Sequence, residues 1–67
     1  MSKEFAPHQQ RVVDEKAELD DKLGKLVSFF STAIYEGLDK DEKSRLQTQA
    51  HHMRGYSAVL GERIAHF

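Results

Sequence analysis

The chain has 67 residues, a mass of 7.7 kDa and a formal net charge of −1. It has no cysteine, which excludes disulfides and thiolate metal sites. Its mean hydropathy is −0.65, no apolar run approaches the length of a membrane span, and the N-terminal MSKEFAPHQQ lacks the apolar core of a signal peptide. The composition therefore points to one small cytosolic domain. A core this small is marginal without help, so oligomerisation is expected. Ten basic residues face eleven acidic ones. That balance argues against binding polymeric nucleic acid along a basic stripe. It leaves room for a small anionic ligand held by a few placed cations.

The chain reads as all-α, two long helices joined by a short segment. Helix one is expected at about residues 7–31. It opens at Pro7, because proline suits the first helical turn. Val12, Leu19, Leu23, Leu26 and Phe30 step by 7, 4, 3 and 4 and form one apolar stripe. Val13, Val27 and Ile34 widen it. Asp14, Glu15, Glu18, Asp21, Lys22 and Lys25 fall opposite, with Glu18–Lys22 and Asp21–Lys25 as favourably oriented i,i+4 pairs. Gly24 weakens this helix by about 1 kcal/mol, so it either admits another backbone or is merely tolerated.

A corner is expected at 32–38, packed by Tyr35 and Leu38 and closed by Gly37. Asp39 then reads as an N-cap, with Glu42 as its capping-box partner. Helix two is expected at about 40–67. Leu46, Ala50, Met53, Ser57, Leu60, Ile64 and Phe67 step 4, 3, 4, 3, 4, 3, an unbroken a/d seam. A second seam is expected beside it through Gln49, Met53, Tyr56, Leu60, Arg63 and Phe67. One seam packs on helix one, and the other needs a second chain or stays exposed. Gly55 and Gly61 also fit close contact with a neighbour. The expected architecture is an antiparallel hairpin assembled into a homo-oligomer.

Candidate chemistry is sparse. No pair among His8, His51, His52 and His66 has the i,i+4 spacing of helical metal ligands, so no metal site is expected. Asp14, Glu15, Glu18, Asp20 and Asp21 read as a solvated face rather than as acid–base pairs. There is no nucleophile motif and no glycine-rich phosphate loop, so no enzyme and no cofactor are expected. Phe5 and His8 have the chemistry to stack on a base, and Arg11 to meet a phosphate. The plainer reading of that segment is a frayed terminus. Lys22 and Lys25 read as ion-pair partners in solvent. Tyr56 reads more readily as core than as a stacking platform. Arg63 lies on the second seam, where assembly would bury it, and there needs a carboxylate or an anionic ligand. The residues alone favour a bridge to Glu62 or another acid of a neighbouring chain.

Two stretches carry a resemblance. PHQQRVVDEKAELDDKLGKL at 7–26 and MRGYSAVLGERIAHF at 53–67, with the aromatic corner and the DKDEKSRLQTQ cap, resemble the phage helical-hairpin family of anti-CBASS and anti-Thoeris sponges. YSAVLGERIA is the sharpest part. The resemblance spans nearly the whole chain. It implies binding of bacterial cyclic oligonucleotide messengers without cleavage, in the cytoplasm of an infected host. It also implies a compact hexamer, with cyclic dinucleotides such as cGAMP held between paired subunits. Some members take a cyclic trinucleotide near the threefold axes. This chain lacks the larger insertion of the anti-Thoeris branch and looks more like the anti-CBASS branch.

By this resemblance His8 corresponds to the base stacker. Some members carry tyrosine there, so stacking by His8 would be weaker. Lys22 corresponds to the phosphate-binding lysine, with Lys25 as the alternative, and Arg63 to the trinucleotide arginine. The candidate ligand set is therefore His8, Arg11, Lys22, Lys25, Tyr56 and Arg63. The expected partners are a cyclic di- or trinucleotide and further copies of the chain, with no membrane. A reading from another class remains beside it: a small helical protein whose unpaired seam binds a host or phage protein.

Overall fold

The first helix, α1, runs Pro7–Phe29, with proline in the first turn where no amide donor is needed. Ala6 precedes it and has no capping oxygen. Gln9 supplies one instead: its Oε1 accepts the Ala6 N–H at 2.9 Å. The computed structural model that shows this describes residues 4–67, so residues 1–3 of the expected N-terminal segment lie outside the described residues.

The end of α1 is chemical rather than glycine-made. The Ser31 hydroxyl donates to the Ser28 carbonyl at 2.9 Å, and the Thr32 hydroxyl to the Phe29 carbonyl at 2.7 Å. Such back-bonding competes with the helical ladder. Thr32 Oγ1 also accepts the Tyr35 N–H and so caps a one-turn helix, α2, at Ala33–Glu36. The helical ladder thus stops at Phe29, and the expected corner holds a turn of helix. Gly37 closes α2 in right-handed conformation.

The third helix, α3, runs Lys40–Ala65. Asp39 caps it as expected, accepting the Glu42 N–H at 2.8 Å. No return bond from the Glu42 carboxylate accompanies it, and that carboxylate accepts from Arg45 at 3.1 Å.

The two long helices pack antiparallel. Phe5 meets Phe67 edge-on at 5.9 Å, Ser57 donates to Asp20, and Gln47 donates to the Tyr35 hydroxyl at 2.6 Å. The heptad seam of α3 forms this contact. Leu60 is 1% exposed and Ala50 fully buried, and the other seam positions are half-buried. Val12 is buried on the facing stripe of α1, with Leu19, Leu23, Leu26 and Phe30 half-buried around it. Tyr35 closes the corner end. It is buried between Phe30 at 5.0 Å and Phe29 at 6.0 Å, with the Lys43 ammonium 5.5 Å from the ring centre. Two aromatic contacts and a cation over the ring fix the hairpin angle.

The second seam stays exposed in part, one of the two outcomes expected for it. Met53, Leu60 and Phe67 turn into the hairpin contact, while Gln49, Tyr56 and Arg63 stand exposed on its flank. Ile34 does not widen the α1 stripe, because the chain breaks before it; it is 71% exposed on α2. A methyl group at Gly61 would stand 3.3 Å from Lys16 Cε, near the end of a flexible side chain. Gly55 and Gly24 have open space at that position.

Leu60 is the deepest large side chain, so Leu60→Ala should lower stability by about 2–5 kcal/mol, read as the shift of the urea midpoint. A smaller pH-dependent contribution comes from Asp20. Hydrogen bonds from Lys16 and Ser57 hold its carboxyl below the usual value of 3.8. Those bonds favour the folded state while Asp20 is ionised in both states. Their contribution is complete above about pH 5 and fades as the pH falls below 3.8 through the lowered folded-state value. The stability gap between the wild type and Asp20→Asn should therefore shrink on acidification below about pH 4. A gap that stays constant to pH 2 would contradict this.

Candidate functional site

The hairpin measures 50 × 18 × 14 Å, so two helices side by side present two broad faces. One is marked by a polar bridge. Lys16 Nζ donates to Asp20 Oδ2 at 2.7 Å, and the Ser57 hydroxyl donates to Asp20 Oδ1. Lys16 also reaches over Gly61. Asp20 of α1 and Gly61 of α3 thus belong to the same face.

The opposite face follows from helical geometry. Arg11 and Lys22 project about 160–180° around α1 from Asp20. Tyr56 and Arg63 project about 140–160° around α3 from Gly61. All four therefore share the face away from the bridge. His8 lies nearer the seam on the same side. The antiparallel register sets Lys22 beside Tyr56 and brings Arg11 within about one turn of Arg63. These two levels are about 13 Å apart along the hairpin.

The electrostatics of this face are distinctive. Arg11, Lys22 and Arg63 are exposed and make no ion pair among the described residues. Tyr56 is 47% exposed, with no aromatic partner among them. Glu15 and Glu18 lie on the same side, which keeps the face from being a polyanion track. The expected Glu18–Lys22 pair is absent from the ion pairs of the described residues, so the Lys22 ammonium is left to solvent.

Lys25 is placed differently. Its ammonium is 3.1 Å from Asp21, at the outer edge of α1. There it borders a shallow, open depression of about 500 Å³, lined by Asp20, Asp21, Gly24, Lys25 and Ser28. Both of its carboxylates are already paired, Asp20 with Lys16 and Asp21 with Lys25.

Phe5 is engaged with Phe67 at the mouth of the hairpin, while His8 is exposed one turn along. His51 and His52 touch edge-on at 5.5 Å on the exposed side of α3, and no group of three or more His, Asp or Glu converges among the described residues. No described helix is long and apolar enough to cross a membrane.

Sequence reasoning brought His8, Arg11, Lys22, Tyr56 and Arg63 forward one at a time, and the fold collects them on one side. It overlooked the Lys16–Asp20–Ser57 bridge. The i,i+4 spacing of Lys16 and Asp20 was a visible signal for half of the bridge. The Ser57 half requires the antiparallel register.

Comparison with known proteins gives one match. The Sequestin family model covers residues 6–66, which takes in α1, the corner and α3. No curated protein and no solved structure matches the chain. A match across both helices and the corner is a match to the entire hairpin, and the chain belongs to the Sequestin family.

Proposed function

We propose that this chain binds and holds small cyclic oligonucleotide messengers without cleaving them, and so acts as a sponge that keeps them from CBASS effectors. One observation carries the reading. Three cations with no ion-pair partner among the described residues, Arg11, Lys22 and Arg63, share a face with an exposed tyrosine. A cyclic di- or trinucleotide alternates phosphates with planar bases. It asks for spaced cations and aromatic surfaces, and a net charge of −1 on the protein is no obstacle at that scale. The family name fits sequestration, and the resemblance of the 53–67 segment to phage anti-CBASS hairpins supports the ligand class and a phage origin.

The two levels of the face divide the work. Lys22 meets a phosphate and Tyr56 stacks at the first. Arg11 and Arg63 serve the second, while His8 stays the base stacker of the dinucleotide site that the resemblance implies. Lys25, neutralised by Asp21, is the weaker candidate for a phosphate. A flat face gives little enclosure, so a second copy completes the cleft, in keeping with the hexameric assembly that the resemblance implies. Sequestration against an effector asks for nanomolar binding, about −12 kcal/mol. In this reading the ligand leaves as it entered.

Calorimetry with 3′,3′-cGAMP and with cyclic tri-adenylate tests this, followed by denaturation and analysis of the released ligand. Tight binding with intact ligand recovered is expected. Cleaved ligand would make the protein an enzyme. No heat with either would favour the protein-binding reading. Lys22→Ala should weaken cyclic dinucleotide binding by at least about tenfold, and Lys25→Ala by less than about threefold. Arg63→Ala should leave dinucleotide binding unchanged and reduce trinucleotide binding. Equal losses from all three substitutions, with the assembly intact, would contradict two separate levels.

A further inference from the structure

The heptad seam of α3 holds a single polar residue. Leu46, Ala50, Met53, Leu60, Ile64 and Phe67 are apolar, and Ser57 lies among them. Its neighbour Tyr56 is turned outward and is 47% exposed. Burial alone would choose the reverse in this stretch, because a tyrosine ring has far more apolar surface than a serine side chain. The reverse is also geometrically close. Met53, Leu60 and Phe67 belong to both lines of residues, so a rotation of α3 by about 50° about its own axis would bring Tyr56 onto α1 and turn Ser57 out. Toward the mouth Ile64 outcompetes Arg63 for the inward position, and toward the corner Ala50 outcompetes Gln49, so the conflict is confined to the middle. Gly55 and Gly61 bracket that stretch, and glycine is a weak helix former, so a local twist there meets little resistance.

What opposes the twist is the bridge. The Ser57 hydroxyl donates to Asp20 Oδ1, and Lys16 Nζ donates to Oδ2 of the same carboxylate at 2.7 Å. Lys16 and Asp20 are one turn apart on α1, so their pairing orients the carboxylate and leaves Oδ1 for α3. These bonds hold the carboxyl below its usual 3.8, so the acceptor is ionised, and a bond to an ionised acceptor is stronger than one between neutral groups. A serine hydroxyl has a short reach, and the contact survives only while Ser57 faces α1. Among the described residues it is the one hydrogen bond that joins α1 to α3. We infer that the Asp20–Ser57 bond sets the rotation of α3 about its own axis, and that Asp20 and Ser57 are thereby positioning residues for the face on the far side of the hairpin.

With Ser57 held inward, Tyr56 is turned onto the side that carries Lys22. With the bond lost, Tyr56 turns into the seam against Leu19 and Leu23, which stand within about one turn of its level. A lone polar residue in an apolar helix seam can select one packing among several at a cost in stability. Here the selection keeps the larger apolar side chain outside, which burial by itself does not do. The consequence for ligand binding rests on the proposed function, whereas the rotation does not.

NMR of the full chain carrying Asp20→Ala or Asp20→Asn tests this. Asp20 is exposed, so both variants should keep their helical circular dichroism. Asparagine retains an oxygen that accepts from Ser57, and alanine does not. Asp20→Ala should bring the Tyr56 ring into stronger NOE contact with the methyl groups of Leu19 and Leu23, and Asp20→Asn should keep the wild-type pattern. A bond that only adds stability would lower the melting temperature and leave the ring where it is. An unmoved ring in Asp20→Ala, or the same movement in both variants, would overturn the inference. Loss of helix in Asp20→Ala would overturn it as well, because the bond would then hold the fold and not the rotation. Binding of 3′,3′-cGAMP is read beside the spectra and should be at least about tenfold weaker in Asp20→Ala than in Asp20→Asn. A displaced ring with equal cGAMP binding would support the rotational role and contradict Tyr56 as a ligand residue. A wild type that binds no cGAMP would contradict the proposed function and leave the NMR result to decide the rotation.

Discussion

Everything in this molecule depends on a single seam between two helices. A hairpin of this length has one intramolecular interface, and its core is the line where α1 meets α3. Only Val12, Tyr35, Ala50 and Leu60 are buried hydrophobics among the described residues. The rest of the apolar stripe is half-covered. A seam of that kind holds the helices in register, and it also leaves two broad faces facing outward. Register is what matters for function, because it decides which residues of α1 stand beside which residues of α3.

The two faces have opposite characters for a physical reason. On one, small residues and a self-neutralised Lys16–Asp20–Ser57 bridge lower the cost of removing the surface from water. On the other, Arg11, Lys22 and Arg63 have no ion-pair partner among the described residues and lie beside Tyr56, an arrangement that favours an anion carrying planar groups. The proposed division needs no catalytic group and no cofactor. It places binding where two copies can supply the same stacker and cation to a symmetric ligand.

Much of this was legible in the sequence, and the limits are instructive. The a/d steps from Leu46 to Phe67 located the core line of α3 because a buried helix face follows a 3.5-residue period whatever its partner. Pro7 and Asp39 marked helix starts because their local chemistry suffices. The corner was harder. Thr32 ends α1 and starts α2 through one hydroxyl, and a serine–threonine pair reads equally well inside a helix. The two seams of α3 share Met53, Leu60 and Phe67, and periodicity alone does not decide which face those residues take. A side chain 1% exposed, as Leu60 is, serves only one. The ligand residues were individually visible as cations and aromatics. Their common face was not, since it depends on the pairing of residues such as Asp20 and Ser57, 37 positions apart.

The central claim is that copies of this hairpin hold a cyclic nucleotide between them and leave it intact. Native mass spectrometry of the full chain mixed with 3′,3′-cGAMP measures assembly, stoichiometry and ligand mass together. The expected result is an even number of chains carrying ligand of unaltered mass, with about one ligand for every two chains. Single chains without ligand, or ligand of the mass of a linear product, would contradict it.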